Sequence, residues 1–304
     1  MTCLICLRPT DSTPYHPRCL RRLFGTRTAP DLDIDLARLH TVALAMVGRT
    51  TLSGVQRKIS IDLAFERGSL RLVIGQGSFI LKPQAQAFPE VPQNELVTMR
   101  MAEQVGMDVP PCGLLRLRDG TLAYIVRRFD RTSDKRKLRQ EDFCQLAEKS
   151  AKDKYEGSAE LCIRLLRRYA SEPLVDVLRL YRVLVFSWWT GNGDMHLKNF
   201  SLLTGEDGLH RLSPAYDLLC TRLAIAGDQL ALPVGGKRDG LTRQDWLALA
   251  RYGQVPERSA ERVLATIAGS LEPALTLVDT SPLSDPFKQA YGELLQERTG
   301  LLRG

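Results

Sequence analysis

Residues 191–200 read GNGDMHLKNF, and the reading of this stretch decides the rest. Only four histidines occur in 304 residues, yet Asp194, His196, Lys198 and Asn199 fall within six consecutive positions. A loop of polar side chains that merely satisfy one another would explain the crowding. The alternative is a site for phosphate and magnesium. Phosphoryl transfer needs an aspartate to orient the attacking hydroxyl and accept its proton, and oxygen ligands for the magnesium that bridges nucleotide phosphates. Asp194 and Asn199 are five residues apart, and Asp217 follows Asn199 by 18 in SPAYDLL. One Asp-x-x-x-x-Asn loop and a second aspartate therefore supply all three groups. His196 and Lys198 add donors for a developing negative charge.

That spacing is common in loops, so its weight depends on what lies upstream. Lys82 ends the apolar run FILKP, where a buried ammonium requires an anionic partner. Glu95 lies 13 residues on, at the start of PQNELVTMRMAEQVG, which reads as the only helix between residues 30 and 130. Pro92 near its start and Gly106 at its end mark its limits, and Leu96, Met99 and Val105 give it an apolar side. A strand lysine paired with a helix glutamate is how kinases hold the α and β phosphates. Singly, each residue has a plain alternative: a strand-end lysine in solvent, or a favourable charge in a helix first turn. The order Lys, Glu, Asp, Asn, Asp is the one a kinase requires. Ahead of these, TTLSGVQRKIS, residues 50–60, is the candidate phosphate-covering loop. It lacks G-x-G-x-x-G, but Gly54 would let backbone amides approach an anion, with Thr51, Ser53, Gln56 and Lys58 supplementing them.

The remaining sequence divides by texture. KISIDLAF and SLRLVIG flank the turn-like ERG and predict a hairpin, and SFILK and LAYIVRRF predict further strands. Beyond residue 140 the periodicity turns helical in EDFCQLAEK, AELCIRLLRRYA and the strongly apolar LVDVLRLYRVLVFSWWTG. Residues 191–220 interrupt the helices with strand-like NFSLL and LHRLS around the turn TGEDG. Helices resume at TRQDWLALARYG, ERSAERVLATIAGSL and DPFKQAYGELLQERTG. The plan is an α+β, two-lobed chain: residues 1–28 a small Cys/His segment, 29–130 a β-rich lobe and 131–304 a helical lobe.

Hydrophobic residues at 44% and charged residues at 25% are ordinary globular values. A net charge of +7 favours acidic partners without demanding nucleic acid. No basic segment leads into an apolar stretch at the N-terminus and no long apolar run suggests a membrane span, so the expectation is a soluble, cytoplasmic protein. Seven cysteines, an odd number and mostly scattered singly, suit reduced thiols better than a disulfide framework.

Three of those cysteines stand in CLICLRPTDSTPYHPRC as Cys3, Cys6 and Cys19, with His16 between, spaced C-x2-C-x9-H-x2-C. Two close pairs separated by a loop are a common way to give zinc its four tetrahedral ligands. The alternative is reduced cysteines in a loose N-terminal segment; one Zn2+ would order a segment too small for its own core. The run DRTSDKRKLRQ, residues 130–140, holds five cations; it reads either as a patch for an acidic target or as a solvated loop, the commoner case. Trp188 and Trp189 read as core, and His40 and His210 as structural.

TLSGVQRKIS, SFILKP, QNELVTMRMAEQVGMDVP, YIVRRFDR, QEDFCQLAEKSAKDKYEGS, GNGDMHLKNFSLL and LSPAYDLL together resemble the HipA family of toxin-type serine/threonine kinases, in order from about residue 50 to 220. The resemblance implies a protein kinase-like fold using ATP and Mg2+. It implies that Lys82 contacts ATP phosphates, Asp194 is the catalytic base, Asn199 and Asp217 ligate magnesium, and His196 lies near the γ-phosphate. Arg128 and Phe129 would sit at the hinge beside adenine. The family's Gly-rich loop carries a serine that the kinase phosphorylates on itself. Here Thr51 stands at that position with Ser53 two residues on, resembling the shorter HipT members, and either residue is a candidate for autophosphorylation. The chain has only about 50 residues before the loop, where full-length HipA proteins have an additional subdomain. The implied partners are an aminoacyl-tRNA synthetase substrate, a helix-turn-helix antitoxin through which DNA is met only indirectly, and a small accessory protein supplying the missing subdomain.

Two alternatives are weaker. Small-molecule kinases use similar Asp and Asn spacing, but their loop begins His-x-Asp, whereas here the histidine follows the aspartate. A non-catalytic protein binding zinc and nucleic acid leaves the Lys, Glu, Asp, Asn and Asp set unexplained.

Overall fold

The computed structural model describes residues 1–30, 32, 34–45, 58–64, 69–72 and 77–304. Thr51, Ser53, Gly54 and Gln56 of the candidate loop, and the ERG turn, therefore lie outside the described residues.

Two helices open the chain, α1 (Pro17–Phe24) and α2 (Leu36–Ala45). Pro17 suits the first turn of α1, and Gly25 ends it in the left-handed conformation (φ 77°), its N–H reaching Arg21 O. Helix α2 corrects the expectation that the Glu95 helix is the only one between 30 and 130. Its orphan N-terminal donors are satisfied partly from afar: Leu36 N–H reaches Asp119 Oδ2 at 2.9 Å and Arg38 N–H reaches Asp35 Oδ1 at 2.8 Å. Asp35 is thus a local cap, and the bond from Leu36, made to a residue 83 positions away, adds to it.

Strands β1 (Ile59–Ala64), β2 (Ser69–Leu72), β3 (Phe79–Lys82), β4 (Cys112–Arg116) and β5 (Leu122–Arg127) form an antiparallel sheet in the order β2-β1-β3-β5-β4. The expected hairpin forms, with Ile61 opposite Leu72. Helix α3 (Val91–Gln104) packs on β4 and β5. Its cap is as read: Gly106 turns left-handed (φ 74°) and Met107 N–H closes on Ala102 O at 3.0 Å.

A second sheet pairs β6 (Gln140–Asp142), β7 (Ser201–Thr204) and β8 (His210–Leu212) in that order. EDFCQLAEK, read as a helix, is divided between β6 and a single turn, α4 (Phe143–Leu146). Asp142 is both the last residue of β6 and the cap of α4, accepting from Gln145 N–H while the Gln145 side chain reaches back to Asp142 N–H. Helices α5 (Ala159–Tyr169), α6 (Pro173–Trp189), α7 (Arg243–Tyr252), α8 (Glu257–Gly269), α9 (Leu271–Thr280) and α10 (Asp285–Arg303) complete the α+β chain. Helix α9 is additional to the expected set. Pro273 masked it, although in a helix first turn proline removes only an N–H that has no helical acceptor.

Helix α6 is the centre of the helical half. Val177, Leu180, Tyr181, Val185, Phe186, Trp188 and Trp189 are all buried along it. Trp189 Nε1 donates to Thr299 Oγ1 at 2.8 Å, and the Trp188 ring packs 5.8 Å from that of Trp246. The two tryptophans are core, as read. Among the described residues no single helix is long and apolar enough to cross a membrane. The basic run at 130–140 is a turn in which four of its cations are paired: Arg131 with Asp130, Lys135 with Asp62, Arg136 with Asp134 and Glu206, and Arg139 with Glu141. That arrangement favours the solvated-loop reading.

Candidate active site

Lys82 ends β3 at a point where the sheet is sealed on both sides, and only 3% of the residue is exposed. Its Nζ lies 2.5 Å from Glu95 Oε1 on α3 and 2.5 Å from Asp217 Oδ1 beyond β8. Lys58, at the foot of β1, reaches the other oxygen, Asp217 Oδ2, at 2.7 Å. Two ammonium groups and two carboxylates thus form one nearly dry cluster.

Burial alone would drive the Lys82 proton off, but Asp217 and Glu95 outweigh it and hold the ammonium above the ordinary lysine range. Burial likewise works against charge on Asp217, and Lys58 and Lys82 together hold its carboxyl well below the ordinary range. Glu95 is the loser in this sharing. Burial raises it, Lys82 opposes, Asp217 adds repulsion, and its pKa is pushed up to about 7. Its Oε2 is buried with no hydrogen-bond partner among the described residues, and beyond Lys82 the Lys58 ammonium offsets the charge in smaller part.

The loop from 190 to 200 leaves α6 and enters β7. The backbone of Gly193 donates to Thr221 Oγ1 at 2.7 Å and that of Asp194 to Asn192 Oδ1 at 3.1 Å. Gly193 must be glycine: a Cβ there would sit 2.1 Å from Asp228 Oδ2 and 2.6 Å from Gln229 O. Asp194 points outward, 45% of its side chain exposed, and takes the Tyr155 hydroxyl at 2.8 Å. His196 Nε2 lies 3.9 Å from Asp194 Oδ1, and burial lowers the His196 pKa, favouring the neutral ring. Asn199 Nδ2 is 3.5 Å from Asp217 Oδ2, while Asn199 Oδ1 is buried without a partner among the described residues.

Asp217 takes a left-handed backbone (φ 56°), uncommon outside glycine. The surroundings hold it there. Tyr216 OH donates to Lys198 O at 2.9 Å, and Asn192 Nδ2 reaches Asp217 O at 3.4 Å. Three residues on, Cys220 is clamped to α3 through both backbone groups. Asn94 Nδ2 donates to Cys220 O and Cys220 N–H to Asn94 Oδ1, each at 2.8 Å. Helix α3 is itself tied to α10 by Thr98 Oγ1 and Tyr291 OH, 2.8 Å apart. Glu95 and Asp217 are therefore placed by the same helix.

The cluster opens into a cavity of about 640 Å³ lined by Lys58, Lys82, Asp194, His196, Asn199 and Asp217. Its outer wall was not anticipated: Phe88 and Val91 before and at the start of α3, Leu219 to Thr221 with Ala224 and Ile225, Asp228 to Ala231, and Lys154 with Tyr155. Those residues are apolar or ordinary, and no spacing marks them; Tyr155 did stand within the quoted AKDKYEGS. Four of the described residues predicted for nucleotide binding do not line this cavity: Glu95 reaches it only through Lys82, and Lys198, Arg128 and Phe129 have other partners. Lys198 is spent on Asp142, 2.6 Å away across the start of α4. Arg128 forks onto Asp130 at 2.9 and 2.7 Å, and Phe129 packs 5.4 Å from the Tyr216 ring. The Lys198 ammonium is paired here with the residue that caps α4.

A second cluster lies at the N-terminus. The ligand atoms of Cys3, Cys6, His16 and Cys19 all fall within 4.8 Å of one another. His16 Nδ1 is 3.3 Å from Cys6 Sγ and 3.9 Å from Cys19 Sγ, and Nε2 is 3.0 Å from Pro9 O. A proton on Nε2 bonded to that carbonyl leaves Nδ1 as the lone-pair donor. Hydrogen bonding from Cys19 and Cys6 holds the Cys3 thiol well below its ordinary range, and the same sharing pushes Cys19 up. Three sulfurs and one imidazole nitrogen this close together could hold a metal ion, and they are the ligand types of structural zinc sites.

Residues 50–275 match the HipA-like C-terminal domain family. Y4mE of Sinorhizobium fredii, named as a candidate kinase, is 35% identical over 251 residues, covering 77% of this chain and 59% of Y4mE. The serine/threonine-protein kinase toxin HipA of Shewanella oneidensis is 27% identical over 195 residues, 56% of this chain and 43% of HipA. The fold is similar to that of a chain in the solved Shewanella oneidensis complex of HipA, HipB and operator DNA. The TM-score is 0.71 at 22% identity, over 84% of this chain and 66% of that one. The chain spans about half the length of the curated relatives it matches.

Proposed function

Because the chain belongs to the HipA-like C-terminal domain family, we propose that it is an ATP-dependent protein serine/threonine kinase, the toxin of a toxin-antitoxin system. The observation that carries this reading is Lys82 bridging Glu95 and Asp217 beside the cavity that Asp194 and Asn199 line. Lys82, fixed by Glu95, takes the nucleotide phosphates with Lys58; Asp194 orients the acceptor hydroxyl and accepts its proton. The orphaned Asn199 Oδ1 and the adjacent Asp217 carboxylate fit an oxygen-seeking cation, and these two residues would hold magnesium. Magnesium would neutralise phosphate charge. Neutral His196 lies beside Asp194, placed to donate to phosphate.

The division at residues 28 and 130, the hinge role of Arg128 and Phe129, and autophosphorylation at Thr51 or Ser53 belong to the same proposal. So do Gly54 as the phosphate-covering glycine, an aminoacyl-tRNA synthetase as target, a helix-turn-helix antitoxin and an accessory protein. One structural Zn2+ would be held by Cys3, Cys6, His16 and Cys19, whose donor set fits it.

The test is incubation of the protein with radiolabelled ATP, magnesium and bacterial lysate, beside Asp194→Gln. A labelled synthetase band that the variant fails to produce supports the reading. Transfer or toxicity undiminished in Asp194→Gln overturns it. Mass spectrometry of the same incubation reads the loop: an unmodified 50–60 segment in an active enzyme removes the autophosphorylation claim.

A further inference from the structure

The base proposed above is held by a residue outside the kinase set. Tyr155 follows a short 3-10 turn, Ala151–Asp153, and its hydroxyl donates to Asp194 Oδ1 at 2.8 Å. The ring meets His196 edge-on, centroids 5.2 Å apart at 76°, and the Lys154 ammonium stands 4.8 Å over it. The backbone is tied as well: Leu197 N–H donates to Lys154 O at 3.1 Å, joining this segment to the turn between His196 and Asn199. Tyr155 is thus clamped to the loop it touches, although 43% of the residue is exposed.

We infer that Tyr155 is a positioning residue for phosphoryl transfer, acting through Asp194. The acceptor hydroxyl must meet one carboxylate oxygen along the line of attack, and an exposed aspartate rotates freely unless one oxygen is engaged. The phenol engages Oδ1, which leaves Oδ2 for the acceptor. Burial and the Asp194 charge push the phenol well above its ordinary value, so the hydroxyl keeps its proton and donates. Packing against His196 sets the ring angle, and with it the place where the hydroxyl ends.

This inference rests on Asp194 being the base, and the experiment separates the two. The assay is magnesium-dependent release of inorganic phosphate from ATP, with water standing in for the protein hydroxyl, on wild type, Tyr155→Phe, Tyr155→Ala and Asp194→Ala. Tyr155→Phe is expected to lower kcat about tenfold with the KM for ATP and the melting temperature unchanged. Tyr155→Ala is expected to show a similar kcat, since the hydroxyl is the acting group. Full kcat in Tyr155→Phe with an inactive Asp194→Ala overturns the Tyr155 role alone. A raised kcat in Tyr155→Phe also overturns it, the hydroxyl then being a block. An undiminished Asp194→Ala, or no release by wild type, removes the base assignment and the inference together.

Discussion

The Lys82 ammonium and the Asp217 carboxylate are 2.5 Å apart, joining the end of β3 to the residue beyond β8. Because Glu95 shares the same nitrogen, removing the lysine leaves two buried carboxylates with only Lys58 to answer them. Lys82→Met should therefore lower stability by about 3–5 kcal/mol, the usual cost of breaking a buried pair from one side. Adding Glu95→Gln should restore much of that loss while leaving phosphoryl transfer abolished. Chemical denaturation of the single and double variants decides it; equal stability of wild type and Lys82→Met would contradict the cluster.

Glu95 sets a pH dependence of a definite sign. Its folded pKa, about 7, lies above the value it has when unfolded, so between those values the folded state binds the extra proton. This group's contribution to stability therefore decreases as pH rises from about 4.5 to 7. Glu95→Gln carries no such proton. Relative to wild type, the variant should gain melting temperature on going from pH 5 to pH 8. His196, whose folded pKa is lowered by burial, acts in the opposite direction in both proteins and cancels in the comparison. A difference between the two proteins that does not change with pH would show that Glu95 titrates normally.

Gly193 couples the catalytic loop to the outer wall of the cavity. A methyl group there overlaps the Asp228 carboxylate and the Gln229 carbonyl, and the second is backbone that cannot rotate away. Gly193→Ala should cost about 1–3 kcal/mol in stability and more than tenfold in kcat, because the next residue is Asp194 and small misplacements of reacting groups are amplified. Rates measured well below the melting temperature separate the two effects. A variant with full kcat would show that the wall yields without moving the loop.

What the sequence disclosed follows from how local each signal was. The spacing of Asp194, Asn199 and Asp217 was legible because one loop and the β7–β8 hairpin connect all three. Lys82 and Glu95 were legible as a strand end and a residue near the start of a helix, although Glu95 falls in the second turn of α3. The pairing of Lys198 with Asp142 was not legible, because Asp142 lies 56 residues upstream and is itself a helix cap. Helix α2 was missed although Asp35, immediately before it, accepts from Arg38 N–H; only the bond from Leu36 N–H to Asp119 has no local pattern. Helix α9 escaped because a proline in a first turn looks like a breaker in one dimension. The cavity wall between Leu219 and Ala231 carries no periodicity, and distant contacts place it: the Asn94 clamp on Cys220 and the bonds of Thr221 to Gly191 and Gly193.

The Cys/His segment closes an exposed edge of the first sheet, which gives zinc a structural consequence beyond the segment itself. Strand β4 is at the edge of that sheet, and an edge strand presents unpaired backbone groups. Leu114 N–H donates to Leu4 O at 2.7 Å, and Leu114 O takes the Tyr15 hydroxyl at 3.0 Å. Ile5 and Leu23 press on Gly113, where a Cβ would come within 2.7 Å of Ile5 Cγ1. The residues making these contacts lie between or beside the four donors, so releasing the metal should loosen them together. Purified protein should contain close to one zinc per chain. Chelation, or Cys3→Ser, should lower the melting temperature and speed hydrogen exchange at Leu114 far more than at Leu184 in α6. Because Lys82 and Asp194 make no contact with this segment, phosphoryl transfer below the new melting temperature should persist. Protein free of zinc with a protected Leu114 amide would show that packing alone holds the edge.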